Sequence, residues 1–153
     1  MEFLGEYNNR KAYWWNYSKD NLADIYEGNW IVFALETVLP DFISFEKLAN
    51  RALDCGILEF KAFGIHSSKL DDWFDEIVVF RNEFDSQKFD VMTTWHTNET
   101  VADAFWQCFH ATCISDEMIN ENLQILCFHF NIQDQSEELK MYLQKFKQGW
   151  IPE

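Results

Sequence analysis

Blocks of apolar residues along the chain show two spacings, one typical of strands and one typical of helices. Short runs rich in β-branched and aromatic residues predict four buried strands, at 30–36, 57–65, 89–95 and 122–130. After each run, apolar residues recur every three or four positions, which predicts an amphipathic helix. The four helical stripes are Phe45, Leu48, Ala49 and Ala52; Leu70, Trp73, Phe74 and Ile77; Val101, Ala104, Phe105, Cys108 and Phe109; and Leu139, Tyr142, Leu143 and Phe146.

The predicted order β-α-β-α-β-α-β-α favours an α/β fold. Right-handed crossovers between parallel strands place such helices against the faces of a sheet. We therefore expect residues 1–153 to form a single three-layer sandwich, with a mainly parallel sheet of about four strands and helices on both faces. Residues 1–29 are predicted to be an N-terminal arm of aromatic and polar residues. Residues 76–81 fit either a continuation of the second helix or a separate strand.

Hydroxyl side chains stand where three of the helices are expected to begin. Ser44 precedes the first stripe, and Ser67 or Ser68 precedes the second. Thr100 is followed three residues later by Asp103, which resembles a capping box. These spacings explain most of the polar residues between the strands and helices as caps.

The composition is acidic and aromatic. The chain has 26 acidic and 12 basic residues, a formal net charge of −14 and a pI near 4.5. Nucleic acids and anionic membranes bind basic surfaces, so this balance argues against both and is compatible with a basic protein partner. Aromatic residues make up 18% of the chain. We expect some of their rings on the surface, where aromatic side chains are enriched in binding patches.

The negative charge is concentrated in the middle of the chain. Twelve acidic residues lie from Asp71 to Glu121, and only Arg81 and Lys88 oppose them. Like charges at this density repel one another, and a basic partner would relieve the repulsion. The predicted partner-binding residues are Asp71, Asp72, Trp73, Asp75, Glu76, Glu99 and Asp103. Taken singly, each acid also fits a solvated helix face. The tryptophans of AYWWNYS, at 12–18, fit either binding anchors or a cover for the sheet edge.

Histidines follow three of the predicted strands, at the edge where open α/β sheets bind ligands. His66, His96 and His129 occupy comparable positions, and Glu99 lies close behind His96. If the protein is an enzyme, His96, Glu99 and His66 are the expected acid–base residues. A histidine at a strand end also commonly bonds only the backbone of a loop, so both interpretations stay open.

No sequence pattern predicts a cofactor or a metal. The turn after the first predicted strand, at 36–44, contains no glycine, whereas loops that cradle phosphates need glycines there. The patterns HExxH and GxSxG and the spacings of zinc-binding cysteines and histidines do not occur. His110 and Cys113 are close on the predicted third helix, but two ligands do not make a closed zinc site.

Cysteine usage and the first residues both point to the cytoplasm. The four cysteines, Cys55, Cys108, Cys113 and Cys127, show no paired framework, and we expect free, buried thiols. The segment MEFLGEYNNRK has no basic stretch followed by an apolar one, so it does not predict a signal peptide. No run approaches the length of about 18 apolar residues that a membrane span requires.

The segment VMTTWHTNETVADAFWQCF, at 91–109, resembles a pattern in an uncharacterised family of small bacterial proteins. In that pattern, a strand ending in TTWH meets acidic or amide residues and a helix rich in alanine and aromatic residues. The resemblance rests on Thr93, Thr94, Trp95, His96, Glu99 and the helix after them, and extends back to 57–65. It implies a bacterial cytosolic protein and carries no catalytic role. Thr97 and Asn98 stand where the pattern has acids.

Three functions fit the sequence. The first is an immunity protein that neutralises a basic toxin by direct binding, without a cofactor, because an acidic and aromatic surface attracts and anchors a basic one. The second is an enzyme with an acid–base site at the strand ends around His96. The third is an acidic adaptor or structural protein.

Overall fold

One sheet and the helices that pack against it form the described part of the chain, residues 1–118, 122–131 and 133–153 of a computed structural model. The strands are β1 (Glu2–Tyr7), β2 (Arg10–Trp14), β3 (Asn29–Leu35), β4 (Ile57–Phe63), β5 (Met92–His96) and β6 (Leu123–His129). The helices are α1 (Phe42–Asp54), α2 (Ser67–Phe84), α3 (Val101–His110) and α4 (Ser136–Lys147). A short 3₁₀ turn at Leu22–Asp24 precedes β3.

The strand order in the sheet is β1-β2-β6-β3-β4-β5. Strand β1 is antiparallel to β2, and the other neighbours are parallel. The predicted α/β class and mainly parallel sheet are therefore confirmed. The predicted number of about four strands is wrong, because the described residues contribute six to the sheet.

The two additional strands come from the segment that we expected to be an arm. Strands β1 and β2 form a hairpin whose turn residues, Asn8 and Asn9, have φ angles of 50° and 60°. Positive φ at both positions gives a turn whose twist matches that of the strands, and asparagine tolerates it. Trp14 and Trp15 are buried, at 3% and 2% exposure, so they cover the sheet and do not act as binding anchors.

Two hydrophobic cores lie on opposite faces of the sheet. Helices α1 and α2 cover one face, where the ring of Phe74 stacks on Phe60 with centroids 4.4 Å apart. Helices α3 and α4 cover the other face, where Phe105 stacks on Phe33 at 5.7 Å. Strand β3 is buried from Trp30 onward and sends alternate side chains into the two cores, as the period of two in a strand requires.

Of the three predicted helix caps, one is confirmed and two are wrong. The N-cap of α1 is Asp41, whose side chain accepts a hydrogen bond from the Ser44 N–H at 2.9 Å, so Ser44 lies inside the helix. Thr100 caps α3 as predicted and accepts from the Asp103 N–H at 3.1 Å. The N-cap of α2 is His66, which makes no capping bond with its side chain, so Ser67 and Ser68 lie inside the helix and do not cap it.

Residues 76–81 continue α2, which ends at Phe84. The guanidinium group of Arg81 fastens this last part of the helix to α1. It donates to Asn50 at 2.9 Å and Asp54 at 2.7 Å, and to Asp85 at the helix end at 2.6 Å. These bonds hold the C-terminal part of α2 beside α1.

Glu59 and Lys61 are buried charged residues on the α3 face of β4. The two residues are 0% and 2% exposed, and Lys61 Nζ lies 3.2 Å from Glu59 Oε1. Lys61 also donates to the carbonyl of Ala111, and the buried Arg10 donates to that of Cys108 at 2.6 Å. Both cations therefore satisfy carbonyls at the C-terminal end of α3, where positive charge is favourable.

All four cysteines are free thiols. The expected burial is confirmed for Cys55, Cys108 and Cys127 and is wrong for Cys113, which is exposed beyond the end of α3. Burial raises the pKa of the Cys108 thiol to about 12 and raises that of Cys127 well above its ordinary value. These two thiols are therefore protonated and unreactive.

Among the residues that the structure describes, no helix is long and apolar enough to cross a membrane.

The buried ion pair gives a test of the fold. We expect Lys61→Met to lower the free energy of unfolding by about 3–5 kcal/mol, because the Glu59 carboxylate stays buried without its cation. The double variant Glu59→Leu/Lys61→Met should recover most of this loss. Urea unfolding followed by tryptophan fluorescence measures both. The control Lys11→Met changes an exposed lysine of β2 and should cost less than about 0.5 kcal/mol. Equal losses in the two lysine variants would contradict the argument.

Candidate functional site

The carboxyl ends of the parallel strands bring several polar residues to one edge of the sheet. Glu36 follows β3, His66 precedes α2, and His96 and His129 end β5 and β6. In the sheet, β4 lies on one side of β3, to which α1 connects it, and β6 lies on the other side of β3. The edge therefore includes a point where the strand order reverses, which is where open α/β sheets bind ligands.

Glu36 and His66 form a hydrogen-bonded pair at this edge. The Glu36 side chain is fully buried, and its carboxylate accepts from the backbone N–H of His66 and lies 2.9 Å from His66 Nδ1. The imidazole itself is 41% exposed. A carboxylate bonded to Nδ1 fixes the tautomer and turns Nε2 away from itself. The pair therefore has the arrangement of a general base that can reach solvent.

Gly64 allows the ends of β3 and β4 to approach closely around this pair. Its φ is +136°, and a Cβ atom there would lie 2.3 Å from both the backbone oxygen and Oε1 of Glu36. The Gly64 N–H donates to the His96 carbonyl, and the Glu36 N–H donates to that of Phe63 at 3.0 Å. Glycine is thus required for the strand ends to hold the Glu36 carboxylate in place.

His96 is enclosed, contrary to its expected role as an acid or base. It is 6% exposed, with Nδ1 2.7 Å from Glu99 Oε2 and Nε2 3.2 Å from Thr94 Oγ1. The same Glu99 oxygen accepts from the Gln107 side chain at 2.9 Å. Since both ring nitrogens have partners, His96 ties the end of β5 to the start of α3. Of the three residues expected for an enzyme, the geometry leaves His66 accessible for acid–base chemistry.

His129 is also buried, at 2% exposure. Within the described residues its Nδ1 has no hydrogen-bond partner. Burial lowers the pKa of His129, although the nearby Glu36 carboxylate acts in the opposite direction. A neutral, enclosed imidazole of this kind supports the sheet edge and does not present a proton to solvent.

The described residues contain no group of three or more histidine, cysteine or acidic side chains that could hold a metal ion. The pair His110 and Cys113 does not share a helix, because α3 ends at His110. The His110 ring stacks on Trp106 with centroids 4.1 Å apart, and its Nε2 lies 3.1 Å from the Tyr7 hydroxyl. His110 is therefore occupied by packing within the chain.

Three of the predicted partner-binding residues are exposed on α2. They are Asp72, Asp75 and Glu76. The Asp75 carboxylate accepts from the Thr93 hydroxyl of β5 at 2.8 Å, and the other two carboxylates point to solvent. Glu121, at the end of the acidic region, lies outside the described residues.

The other four predicted binding residues are Asp71, Trp73, Glu99 and Asp103. Asp71 is 5% exposed, at a buried position of α2. Trp73 is half-buried, and its ring packs edge-on against Phe42 at 5.1 Å. Glu99 is engaged by His96, and Asp103 is half-buried. These contacts leave Asp72, Asp75 and Glu76 as the main acidic surface of the predicted set.

An exposed apolar ridge on α2 was not predicted from the sequence. It consists of Val79, Phe80 and Phe84, which are 59%, 61% and 70% exposed. The rings of Phe80 and Phe84 lie 4.7 Å apart, one helical turn from each other. Phe80 and Phe84 follow Ile77 by three and seven residues, a spacing that continues the buried stripe, so the sequence carries no signal that these two rings are exposed.

A groove runs between α1 and α2 beside the apolar ridge. Its volume is about 330 Å³, and its lining residues are Phe42, Glu46, Asn50, Glu76, Ile77 and Phe80. Apolar side chains come from both helices, and each helix also contributes one carboxylate. We call this feature the α1–α2 groove.

A larger and more polar cavity, of about 520 Å³, lies next to the far end of α2. Arg81, Asp54 and Asp85 line it, together with Glu27 and Phe84. Because Arg81 is already paired with the two aspartates, the described residues that line the cavity offer no free cation to bind an anion. Phe84 lines this cavity and Phe80 lines the α1–α2 groove, so the apolar ridge separates the two.

Residues 12–146 match a family model described as a domain of unknown function, DUF7684. No curated protein and no solved structure matches the chain. The matched residues run from β2 into α4, so they include both the Glu36–His66 pair and the α1–α2 groove. The resemblance at 91–109 also lies within them and stays a prediction.

Asp71 gives a pH-dependent test of the α2–β5 contact. Burial raises the pKa of its carboxyl from 3.8 to about 6; the Asp75 and Asp72 carboxylates add to this, and the Thr93 hydroxyl opposes it. At a pH between these two pKa values, the folded chain keeps a proton on Asp71 that the unfolded chain has lost. The free energy of unfolding therefore falls as the pH rises from about 4 to about 6, and it stays lower above that.

We expect Asp71→Asn to be more stable than the parent by roughly 1–3 kcal/mol at about pH 7.5, and to lose this advantage near pH 4. Urea unfolding at a series of pH values measures the difference. The control Asp72→Asn changes the exposed neighbour and should show no such pH-dependent gain. A gain for Asp71→Asn that is the same at both pH values would contradict the assignment.

Proposed function

We propose that this chain, which belongs to the DUF7684 family of domains of unknown function, is a protein-binding module for a basic protein partner. In this proposal it is an immunity protein of the bacterial cytoplasm, which neutralises a toxin domain by covering its basic surface. The observation that carries the proposal is that α2 exposes three carboxylates, Asp72, Asp75 and Glu76, beside the apolar ridge.

The two parts of this surface serve different steps of binding. Exposed phenylalanine rings lose contact with water when a partner covers them, which stabilises the complex. Carboxylates around them accelerate the encounter with a basic partner and disfavour acidic ones. On α2 the basic residues are Lys69 and Arg81, and the guanidinium group of Arg81 is held by Asp54 and Asp85. The negative potential along α2 is therefore largely uncompensated.

The total charge favours a basic protein over other classes of macromolecular partner. A net charge of −14 repels nucleic acid, anionic membranes and a second copy of the chain. A basic protein is the macromolecular partner that this charge attracts.

Charge-neutralising substitutions on α2 test the proposal. We expect the adjacent gene to encode a basic protein and the parent to bind it, because a toxin and its antidote must be inherited together. Asp72→Asn/Glu76→Gln should weaken binding by about five- to twentyfold at about 50 mM salt, mainly by slowing association, and the difference should shrink at about 500 mM. Surface plasmon resonance measures both rates.

The matched control is Glu6→Gln/Glu153→Gln, which removes two exposed carboxylates away from α2. This variant should bind as the parent does, apart from a small general effect of charge. Absence of any salt-sensitive complex, or equal losses in the two double variants, would contradict the proposal.

The Glu36–His66 pair supports a second candidate function, an enzyme with its acid–base site at this edge of the sheet. A buried carboxylate that orients a half-exposed imidazole is suited to take a proton from a substrate or from water. Turnover of ester, amide or phosphoester substrates that disappears in His66→Asn would support this alternative. No turnover by the parent would count against it.

An acidic adaptor would use the same surface of α2 as an immunity protein. The two differ in the partner, because an adaptor binds a protein that is not toxic. Toxicity of the partner, expressed with and without this chain, separates them.

A further inference from the structure

The α1–α2 groove has no cover in the part of the chain that the structure describes. Phe42 from α1 and Phe80 from α2 are 39% and 61% exposed at its walls. Glu46 from α1 and Glu76 from α2 are both exposed and line it as well. Exposed apolar side chains that adjoin one another and are bordered by polar residues commonly mark a site of protein binding.

We infer that this groove binds an amphipathic helix of the partner, with apolar side chains between Phe42 and Phe80 and basic side chains against Glu46 and Glu76. The inference rests on the proposed function and goes further, because it names the element of the partner that is recognised and the contacts that it makes.

The shape of the surface favours a helix as the occupant. Helices α1 and α2 follow adjacent parallel strands and pack on the same face of the sheet, so their outer surfaces form two neighbouring ridges. A third helix fits into the depression between such ridges at an axial distance of about 8–10 Å. Phe42 and Phe80 line the groove from its two walls, so the apolar stripe of a facing helix, at positions i, i+4 and i+7, can contact both rings.

The charges around the groove favour a basic helix. Arg81 does not offset Glu76, because its guanidinium group is bonded to Asn50, Asp54 and Asp85. Lys47 follows Glu46 directly and so lies about 100° further around α1, where it does not line the groove. Lysine or arginine side chains that flank the apolar stripe of a bound helix would pair with both glutamates.

A synthetic helix tests this inference with the full chain. The probe is a peptide of about 18 residues with leucines at i, i+3, i+4 and i+7 and lysines on the opposite face. A scrambled peptide of identical composition has the same charge and no apolar face. Titration of the ¹⁵N-labelled protein with each peptide, followed by amide chemical shifts, shows where and how tightly it binds. We expect shifts on α1 and α2 with the amphipathic peptide and much weaker binding of the scrambled one.

Phenylalanine variants connect the peptide to the groove. Phe80→Ala should weaken binding of the amphipathic peptide by about tenfold, because the ring that lines the groove on α2 is lost. Phe80 is largely exposed, so the variant is expected to fold. Phe3→Ala removes a 52% exposed phenylalanine from β1, at the edge of the sheet, and should bind as the parent does. Equal binding of the scrambled peptide, shifts outside α1 and α2, or equal effects of the two variants would overturn the inference.

The product of the adjacent gene separates this inference from the proposed function. If that protein binds in a salt-sensitive way and Phe80→Ala has no effect, the groove inference fails and the proposed function stands. If the amphipathic peptide binds in the groove and no basic protein binds the chain, the proposed function fails. The inference that the groove binds an amphipathic basic helix then stands.

Discussion

Burial of β3 on both faces is the constraint on which the rest of the structure depends. From Trp30 to Leu35 its side chains enter one core or the other, and β4 and β6 pair with it on either side. A strand enclosed in this way must be apolar throughout and must be covered by helices on both faces. Glu36, the next residue, enters the same buried environment, and an ionised carboxylate there needs hydrogen bonds. His66 provides two of them.

Helix α2 meets two opposing requirements. One side must be apolar to cover β4 and β5, and the residues outside that stripe are free to serve solubility or binding. On this helix they include both carboxylates and phenylalanines. Exposed phenylalanines contribute little to folding, since much of their surface stays in contact with water. Carboxylates close to one another raise the energy of the folded chain through repulsion. A surface with both features adds little to the stability of the fold, which supports the proposal that it binds a partner.

The parts of the fold that the sequence predicts are those in which burial alone decides the structure. The strands β3, β4, β5 and β6 and the stripes of the four helices follow from hydrophobic spacing. The hairpin at the start of the chain was missed because aromatic and polar residues are mixed in it, although two consecutive asparagines, Asn8 and Asn9, are a turn signal. The coverage of Glu59 and Lys61 also escaped prediction, because it depends on distant residues at the end of α3.

The candidate site was predictable as a location and not as a set of contacts. Parallel strands bring their ends to one edge, so the positions of Glu36, His66, His96 and His129 follow from the order of elements. Which histidine is accessible depends on rotamers and on neighbours such as Thr94 and Glu99, and no spacing in the sequence reports these. In the same way, acids at 71–76 are visible in the sequence, but the burial of Asp71 depends on its position on the side of α2 that faces β5.

The position of β6 in the sheet has a consequence for the order in which the molecule can assemble. Strand β2 pairs with β6, so Lys11 lies opposite Gln124 and Trp14 opposite Cys127. The hairpin of β1 and β2 is a local structure, whereas its place in the sheet requires a contact across more than a hundred residues of chain. Closing so long a loop carries an entropic cost and slows folding. During synthesis the β1–β2 hairpin leaves the ribosome early, and β2 has no partner on its other side until β6 has followed. In that interval the apolar faces of the hairpin are exposed to other chains.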